Sequence, residues 1–284
     1  MDELLVHFLN GMSYGTILFL LASGLSFTLG CMGVLNLTHG SLYMIGAYVG
    51  LTLAGLRVNF WVAALLGGVA VALIGLVLDR IFLRHLYRQM LDQVLLTLGF
   101  VYIFANVTLW IWGAFPKLGA PPPFLAGSIV VGHITFPVYR FALIAMGVVI
   151  AIGLWWLQDK TRVGAIIRAG MDDKQMAMGL GVNYALVSSA IFCLGAFVGG
   201  FAGFVGSPVL GVHSEIAFPI LLLTLVVIIV GGEGSVQGAL LGAILVGLVD
   251  AFGKAFFPDL AMFTIYAVLV IFLLVRPSGL FGKR

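Results

Sequence analysis

The chain has 284 residues, 62% hydrophobic and 9% charged, with a formal net charge of +3, against about 45–50% and 25% in an ordinary soluble domain. So much apolar side chain cannot be buried inside one globule, and 14 Lys and Arg against 11 Asp and Glu, with no basic run interleaved with aromatics, exclude a nucleic-acid surface. Two cysteines, Cys31 and Cys193, are too few for a disulfide framework or a four-ligand zinc site and read as small packing residues.

Nine uncharged stretches follow in chain order, at 8–29, 40–56, 60–78, 93–113, 141–157, 184–206, 216–232, 234–249 and 260–275. Most approach the roughly 17–25 apolar residues that a helix needs to cross about 30 Å of hydrocarbon. The expected fold is therefore all-α, a polytopic transmembrane bundle of eight or nine hydrophobic elements, some short or broken, with residues 1–284 as a single transmembrane domain. The N-terminus opens with Asp2 and Glu3 and lacks a small-residue cleavage site, so the first segment is expected to stay as a membrane helix. Segments 216–232 and 234–249 would be only about 24–26 Å long as helices, and either cross with local thinning or form a re-entrant pair. Residues 30–39 are placed in a loop, although the sequence around them is free of charge from Leu4 to Leu56.

The Lys/Arg bias sets orientation in such proteins. Arg80, Arg84 and Arg88, then Lys160, Arg162, Arg168 and Lys174, then Arg276, Lys283 and Arg284 fall on one face of a serial threading, and Arg57, Lys117, Arg140 and Lys254 on the other. Ten against four predicts a cytoplasmic C-terminus and an external N-terminus. Glycine, 38 of 284 residues, is about twice its usual frequency. Gly195, Gly199 and Gly203, Gly238 and Gly242, and Gly46 and Gly50 recur four apart, which puts small residues on one helix face and predicts close crossings.

Residues 114–140 hold five of the nine prolines, and proline removes a donor and ends helices. The expectation is an external loop with two short β-prone runs within Ser128–Phe136 about a Gly132-His133 turn, either contacting a partner or capping the bundle. No HExxH, GxSxG or metal-spaced histidine pair is present, and no GxxxxGK[ST], so this chain is not expected to cradle ATP by that loop. No catalytic or metal residue and no cofactor of its own is expected, and the chain reads as a non-enzyme. The polar segment 158–183 carries seven of the 25 charged residues. Within it Val163, Ile166, Ile167 and Met171 have the spacing of a short helix with one apolar stripe, suited either to a groove on a soluble partner or to lipid headgroups.

Thr161-x-x-Gly164-x-x-x-Arg168-Ala169-x-x-Asp172-Asp173, followed by Ala177 and Gly179-Leu180-Gly181-Val182, resembles the cytoplasmic coupling loop of the permease subunits of branched-chain amino-acid ABC importers, the Liv-type hydrophobic amino-acid uptake family. Gly33 to Tyr48, with Asn36, His39-Gly40, Tyr43-Met44 and Gly46-Ala47-Tyr48, is similar to a second block of that family. Leu96-Thr97-Leu98-Gly99 with Asn106, Gly231-Gly232-Glu233-Gly234-Ser235-x-x-Gly238-Ala239, and the ending Arg276-Pro277-Ser278-Gly279-Leu280-Phe281-Gly282 are similar to others. The match runs in order over residues 24–282. Leu37-Thr38 stands where many members have an aromatic followed by alanine, and Ala105-Asn106 where a Gln-Asn pair is common, beside an aromatic-rich fourth segment.

The resemblance implies an inner-membrane permease that moves branched-chain amino acids inward. ATP would be bound and hydrolysed by two separate cytoplasmic ATPases, an extracytoplasmic substrate-binding protein would dock outside, and a second related permease or a second copy would complete the membrane part. Thr161, Gly164, Arg168, Ala169, Asp172, Asp173, Ala177 and Gly181 would meet the ATPases. Asn36, Thr38 and His39 interrupt one apolar run, and Glu233, Ser235 and Gln237 another; paired interruptions in two halves of a chain point to a substrate path. By the resemblance Thr97 and Asn106 join them. The plainer alternative is that Asn36 and Ser235 cap helices, that glycines end them, and that Glu233 reaches the interface. Asp250 and Asp259 read as solvated charges near a span end. The alternatives kept open are another small substrate (urea, an amide, an aromatic or other carboxylate) and an ion-coupled secondary transporter driven through His39, Glu233 or Asp250.

Overall fold

The computed structural model describes residues 2–33, 36–86, 89–131, 134–276 and 278–281. Asp2–Met32 forms α1, 31 residues long, or about 46 Å at 1.5 Å per residue. Next come α2 (His39–Gly55) and α3 (Phe60–Val77), the latter continuing through a widened turn at Leu78–Phe82 and a tight one at Leu83–Leu86, then α4 (Met90–Trp112). The hairpin β1 (Ser128–Val131) and β2 (Ile134–Pro137) precedes α5 (Val138–Lys160). The polar segment folds as α6 (Arg162–Asp172) and α7 (Lys174–Gly179), and the chain closes with α8 (Tyr184–Leu210), α9 (Ala217–Gly231), α10 (Val236–Phe256) and α11 (Ala261–Val275). Seven helices among the described residues are long and apolar enough to cross a membrane, and Ala217–Gly231 is a shorter apolar one.

The nine apolar stretches all become helices, because runs this apolar leave their backbone groups no partner but each other. The boundaries differ where polar residues join a helix: α5 starts at Val138, inside the expected external loop, and reaches Lys160, so Gln158 belongs to a span and not to the cytoplasmic loop. α10 has 21 residues and crosses without thinning, whereas α2 with 17 and α9 with 15 are only about 25 and 22 Å long. The hairpin forms as expected, pairing Val130 with Thr135 in antiparallel register; the expected Gly132-His133 turn lies outside the described residues. Lys117 and Val212 exchange two backbone hydrogen bonds of 2.8 Å, so the proline-rich loop also ties down the chain between α8 and α9.

Packing is governed by backbone approach. A Cβ on Gly24 of α1 would stand 2.6 Å from the carbonyl oxygen of Gly195 in α8, and one on Gly195 would stand 2.7 Å from that of Gly24. Gly46 of α2 meets Gly200 of α8, Gly231 of α9 meets Gly238 of α10, and Gly247 of α10 meets Gly11 and Gly15 of α1. The glycines expected to share faces therefore sit at close crossings. The contacts relate α1–α2–α3 to α8–α9–α10 in inverted order: α1 lies on α10 as α8 lies on α3, each trio has its short helix in the middle, and α1 crosses α8 at the centre. Such inverted trios are a recurrent plan among transporters.

Neighbouring contacts also fix which ends share a face. Asn10 of α1 accepts from Arg140 at the start of α5, and His7 lies against Phe252 near the end of α10, 6.4 Å between rings. At the opposite end Leu280 N–H donates to the Val230 carbonyl at 2.9 Å and Gly30 meets Gly234. The start of α1 and Leu280 thus lie on opposite faces. Arg80, Arg84, Lys160, Arg162, Arg168 and Arg276 share the face of Leu280, and Arg57, Lys117, Arg140 and Lys254 the other. Gly195→Val is expected to force α1 from α8 and lower stability by about 1–3 kcal/mol, while Gly99→Ala in α4, where a Cβ meets nothing within 4 Å, leaves it within about 1 kcal/mol of the parent; thermal melts of both in one detergent check this.

Candidate functional site

The break between α1 and α2 folds back on itself. Asn36, Thr38 and His39 are each only 1% exposed. The Asn36 carboxamide oxygen accepts from the Thr38 N–H at 3.0 Å and from the Thr38 hydroxyl. His39 Nε2 lies 3.0 Å from the Leu21 carbonyl, so α2 begins beside the middle of α1 and not at its end. Gly40, in the first turn of α2, meets Ala217 and Leu221 in the first turns of α9. The two short helices thus start side by side within the bundle and run to opposite faces. The element that answers the 33–38 break is the 211–216 stretch ahead of α9, which sequence reading passed over although it holds His213, Ser214 and Glu215.

Residues 232–235 lie elsewhere. Gly30, which meets Gly234, is nine positions from Leu21, which meets His39, or about 14 Å along α1. Ser235 caps α10, accepting from the Gly238 N–H at 3.0 Å, and Glu233 and Gln237 are exposed. Thr97 is buried but bonds back to the Gln93 carbonyl of its own helix at 2.8 Å. Asn106 is on the open face of α4, its amide on the Tyr102 carbonyl at 2.8 Å. The eight candidate pathway residues therefore fall into three places: the α2 start, the α9–α10 turn, and α4. Asp250 is not a free solvated charge: its side chain is 12% exposed and its carboxylate holds Lys254 at 2.6 Å.

The 158–183 segment folds as two self-capped helices. Thr161 accepts from the Gly164 N–H at 3.1 Å and Asp173 from the N–H groups of Gln175 and Met176, both at 2.9 Å, each satisfying donors at a helix start. Gly164 turns the α5–α6 corner, where a Cβ would collide with the carbonyl oxygens of Leu157 and Gln158. Arg168 donates to the Gln158 carbonyl and stands 3.5 Å from Asp159. Ile167 is buried and Met171 packs inward with it, so half of the apolar stripe of α6 is spent on the bundle, while Val163 stays exposed. Outward face Val163, Ala169, Asp173, Met176, Met178, Leu180 and Gly181, with Ala177 buried. The side chain of Asp172 lies outside the described residues.

Between this pair and the α9–α10 turn opens a hollow of about 710 Å³, lined by Gln158, Arg168, Met171, Glu233, Ser235 and Phe281 among others. Here the structure joins members of the two sets that sequence reading kept apart. Two residues were missed. Gln158 is 8% exposed and bonds the turn through both ends of its amide, and Asp79, 1% exposed, accepts from the Ser189 hydroxyl at 2.5 Å. Their signal was a polar residue abutting an apolar run, at 157–158 and 78–79, on helices that continue past the run. Among the described residues no cluster of three His, Cys, Asp or Glu side chains is placed to hold a metal ion.

Seven apolar helices of spanning length with two short ones between them make this a multi-pass membrane protein. The family model "Branched-chain amino acid transport system / permease component" matches residues 7–273, and the chain belongs to that family. It is 27% identical over 315 residues to the high-affinity branched-chain amino acid transport system permease protein LivH of Escherichia coli K12, covering 100% of this chain and 98% of the relative. It is 26% identical to the permease protein BraD of Pseudomonas aeruginosa, over 96% of this chain and 94% of that one. The archaeon Methanocaldococcus jannaschii has a probable LivH permease 25% identical over 95% and 90%. A solved structure, PsaBC from Streptococcus pneumoniae in complex with Fab, aligns over 94% of this chain and 89% of its own with a TM-score of 0.50 and 12% identity, a likeness of fold.

Gly164→Ala is expected to open the α5–α6 corner. Amide exchange across 161–172 should then rise while that of α8 stays fixed, by the roughly 1–3 kcal/mol that overpacking costs.

Proposed function

We propose that this chain is the permease subunit of an ATP-binding-cassette importer that moves branched-chain amino acids inward. The observation that carries the reading is the α6–α7 pair: two short helices that cap themselves, hold to the bundle by Ile167 and Met171, and turn Val163, Met176, Met178 and Leu180 outward. Exposed apolar side chains on a basic face outside the spans suit docking into a groove of a soluble subunit. Two ATPase subunits fill that role, binding and hydrolysing the ATP for which this chain has no GxxxxGK[ST] loop. The basic face is the cytoplasmic one by the Lys/Arg bias, which puts the N-terminus and the hairpin outside, where a substrate-binding protein docks. A second permease, a relative or another copy, covers part of the open faces of α4 and α11.

The substrate path runs past the paired starts of α2 and α9. There the Asn36 amide nitrogen and the Ser41 hydroxyl are buried without a hydrogen-bond partner, and helix starts at membrane depth favour a carboxylate. Branched-chain amino acids are the substrates named for the relatives. Alternating access, driven by closure of the ATPases against α6–α7, moves these helix starts between the two faces.

Purification from native membranes in mild detergent is expected to bring two ATPases with the chain, and leucine uptake in proteoliposomes to need internal ATP and to withstand a protonophore at constant ATP. Arg168→Glu should lower that uptake by about tenfold or more, the scale of a lost charge-assisted contact. A chain that purifies alone and carries leucine under an ion gradient without ATP would establish a secondary transporter instead.

A further inference from the structure

Gln158 sits in the last turn of α5 and is 8% exposed. Its side-chain Nε2 donates to the Gly234 carbonyl at 2.7 Å and its Oε1 accepts from the Val236 N–H at 3.2 Å. Its own backbone carbonyl accepts from Arg168 of α6. One residue therefore bonds α6 through its main chain and the α9–α10 turn through its side chain. Gly234 is further held by donating its N–H to Ser26 of α1 at 3.0 Å, and it adopts a φ of +75° with Met171 of α6 packed where a Cβ would stand. The turn has no slack. Leu280 N–H and Phe281 N–H bond the carbonyls of Val230 and Gly231 at 2.9 and 3.0 Å, so the end of α9 is fixed to the same assembly.

Only an amide can do this. A carboxylate at 158 keeps the acceptor for Val236 and loses the donor for Gly234; an aliphatic side chain loses both and leaves a buried carbonyl and a buried N–H unpaired. α9 is a continuous helix of 15 residues from this turn to Ala217, whose first turn lies against Gly40 at the start of α2. A displacement of α6 passed to the turn therefore reaches the paired helix starts through one rigid element.

We propose that Gln158 is the positioning residue through which movement of α6 is transmitted to the α9–α10 turn and along α9 to the start of α2. This rests on the reading that α6–α7 receives the ATPases, since that docking supplies the movement. The connection is a bonded chain with a distinct weak point, so cutting it separates hydrolysis from transport.

The test is amide hydrogen exchange on the detergent-solubilised complex with its ATPases, without nucleotide and with ATP plus orthovanadate, for the parent, Gln158→Leu, Gln158→Glu and Ser26→Ala. In the parent, exchange changes on trapping at both 162–172 and 232–236. In Gln158→Leu the change at 162–172 persists and that at 232–236 is lost; resting exchange at Val236 rises about tenfold, as for one lost buried hydrogen bond, and leucine carried per ATP falls while hydrolysis continues. Gln158→Glu, which is close in shape and keeps one bond, gives a partial loss and serves if the leucine variant does not assemble. Ser26→Ala loosens the same turn from α1 but keeps its response, which a purely structural role for Gln158 would not distinguish. An undiminished response of 232–236 in Gln158→Leu, or in Gln158→Glu where only that variant assembles, overturns the inference and leaves the importer reading standing. A parent complex in which 162–172 itself does not respond overturns the docking reading and this inference with it.

Discussion

Where α1 crosses α8 the two backbones touch, and everything else in the bundle is arranged about that contact. With no side chain at Gly24 or Gly195, each carbonyl oxygen stands where the other's Cβ would be. In hydrocarbon there is no hydrophobic gain in pressing helices together, so close approach and the dispersion contact it permits supply the adhesion. The crossing sets the axis about which α1–α2–α3 and α8–α9–α10 are inverted copies in contact. Glycines at the neighbouring junctions, Gly46 on Gly200 and Gly231 on Gly238, let the short helices of each trio sit as close as the long ones.

That geometry explains why α2 and α9 are short. Each follows a long helix of its trio after the chain has turned back inward, so each starts within the bundle, and the inversion brings the two starts together. A helix that begins inside leaves its first N–H groups unsatisfied by its own backbone. At α2 the Asn36 side chain takes the Thr38 N–H and the Asn36 carbonyl takes the His39 N–H at 3.3 Å, while no side chain caps the first turn itself. The break is therefore a structural device that places polar side chains in the interior.

At the basic face the constraint is different. α6 lies outside the spans, and its strongest attachments are a stripe of two or three apolar residues and one guanidinium on a helix-terminal carbonyl. A helix held so lightly is a movable part beside a rigid one. The α9–α10 turn behind it is held by Gln158, Ser26 and the backbone bonds of Leu280 and Phe281.

Composition and apolar runs were enough to give the nine apolar helices, their order and most of their ends to within a few residues, because in a membrane an apolar run of that length has one way to satisfy its backbone. The charge bias separated the two faces, the four-residue glycine spacing announced the close crossings, and the hairpin was legible from its β-branched runs. What sequence could not supply was partnership at a distance. That Asn36 and His39 lie with α9 and not with Glu233 depends on a six-residue turn whose direction no local pattern encodes. That Ile167 and Met171 of the α6 stripe face inward, leaving Val163, Met176 and Leu180 outward, follows from which neighbours are present to cover it. Gln158 looked like the first residue of a loop and is a buried bridge, since a side-chain amide acquires its meaning from the backbone groups that tertiary structure brings within reach, here 76 and 78 positions further along the chain.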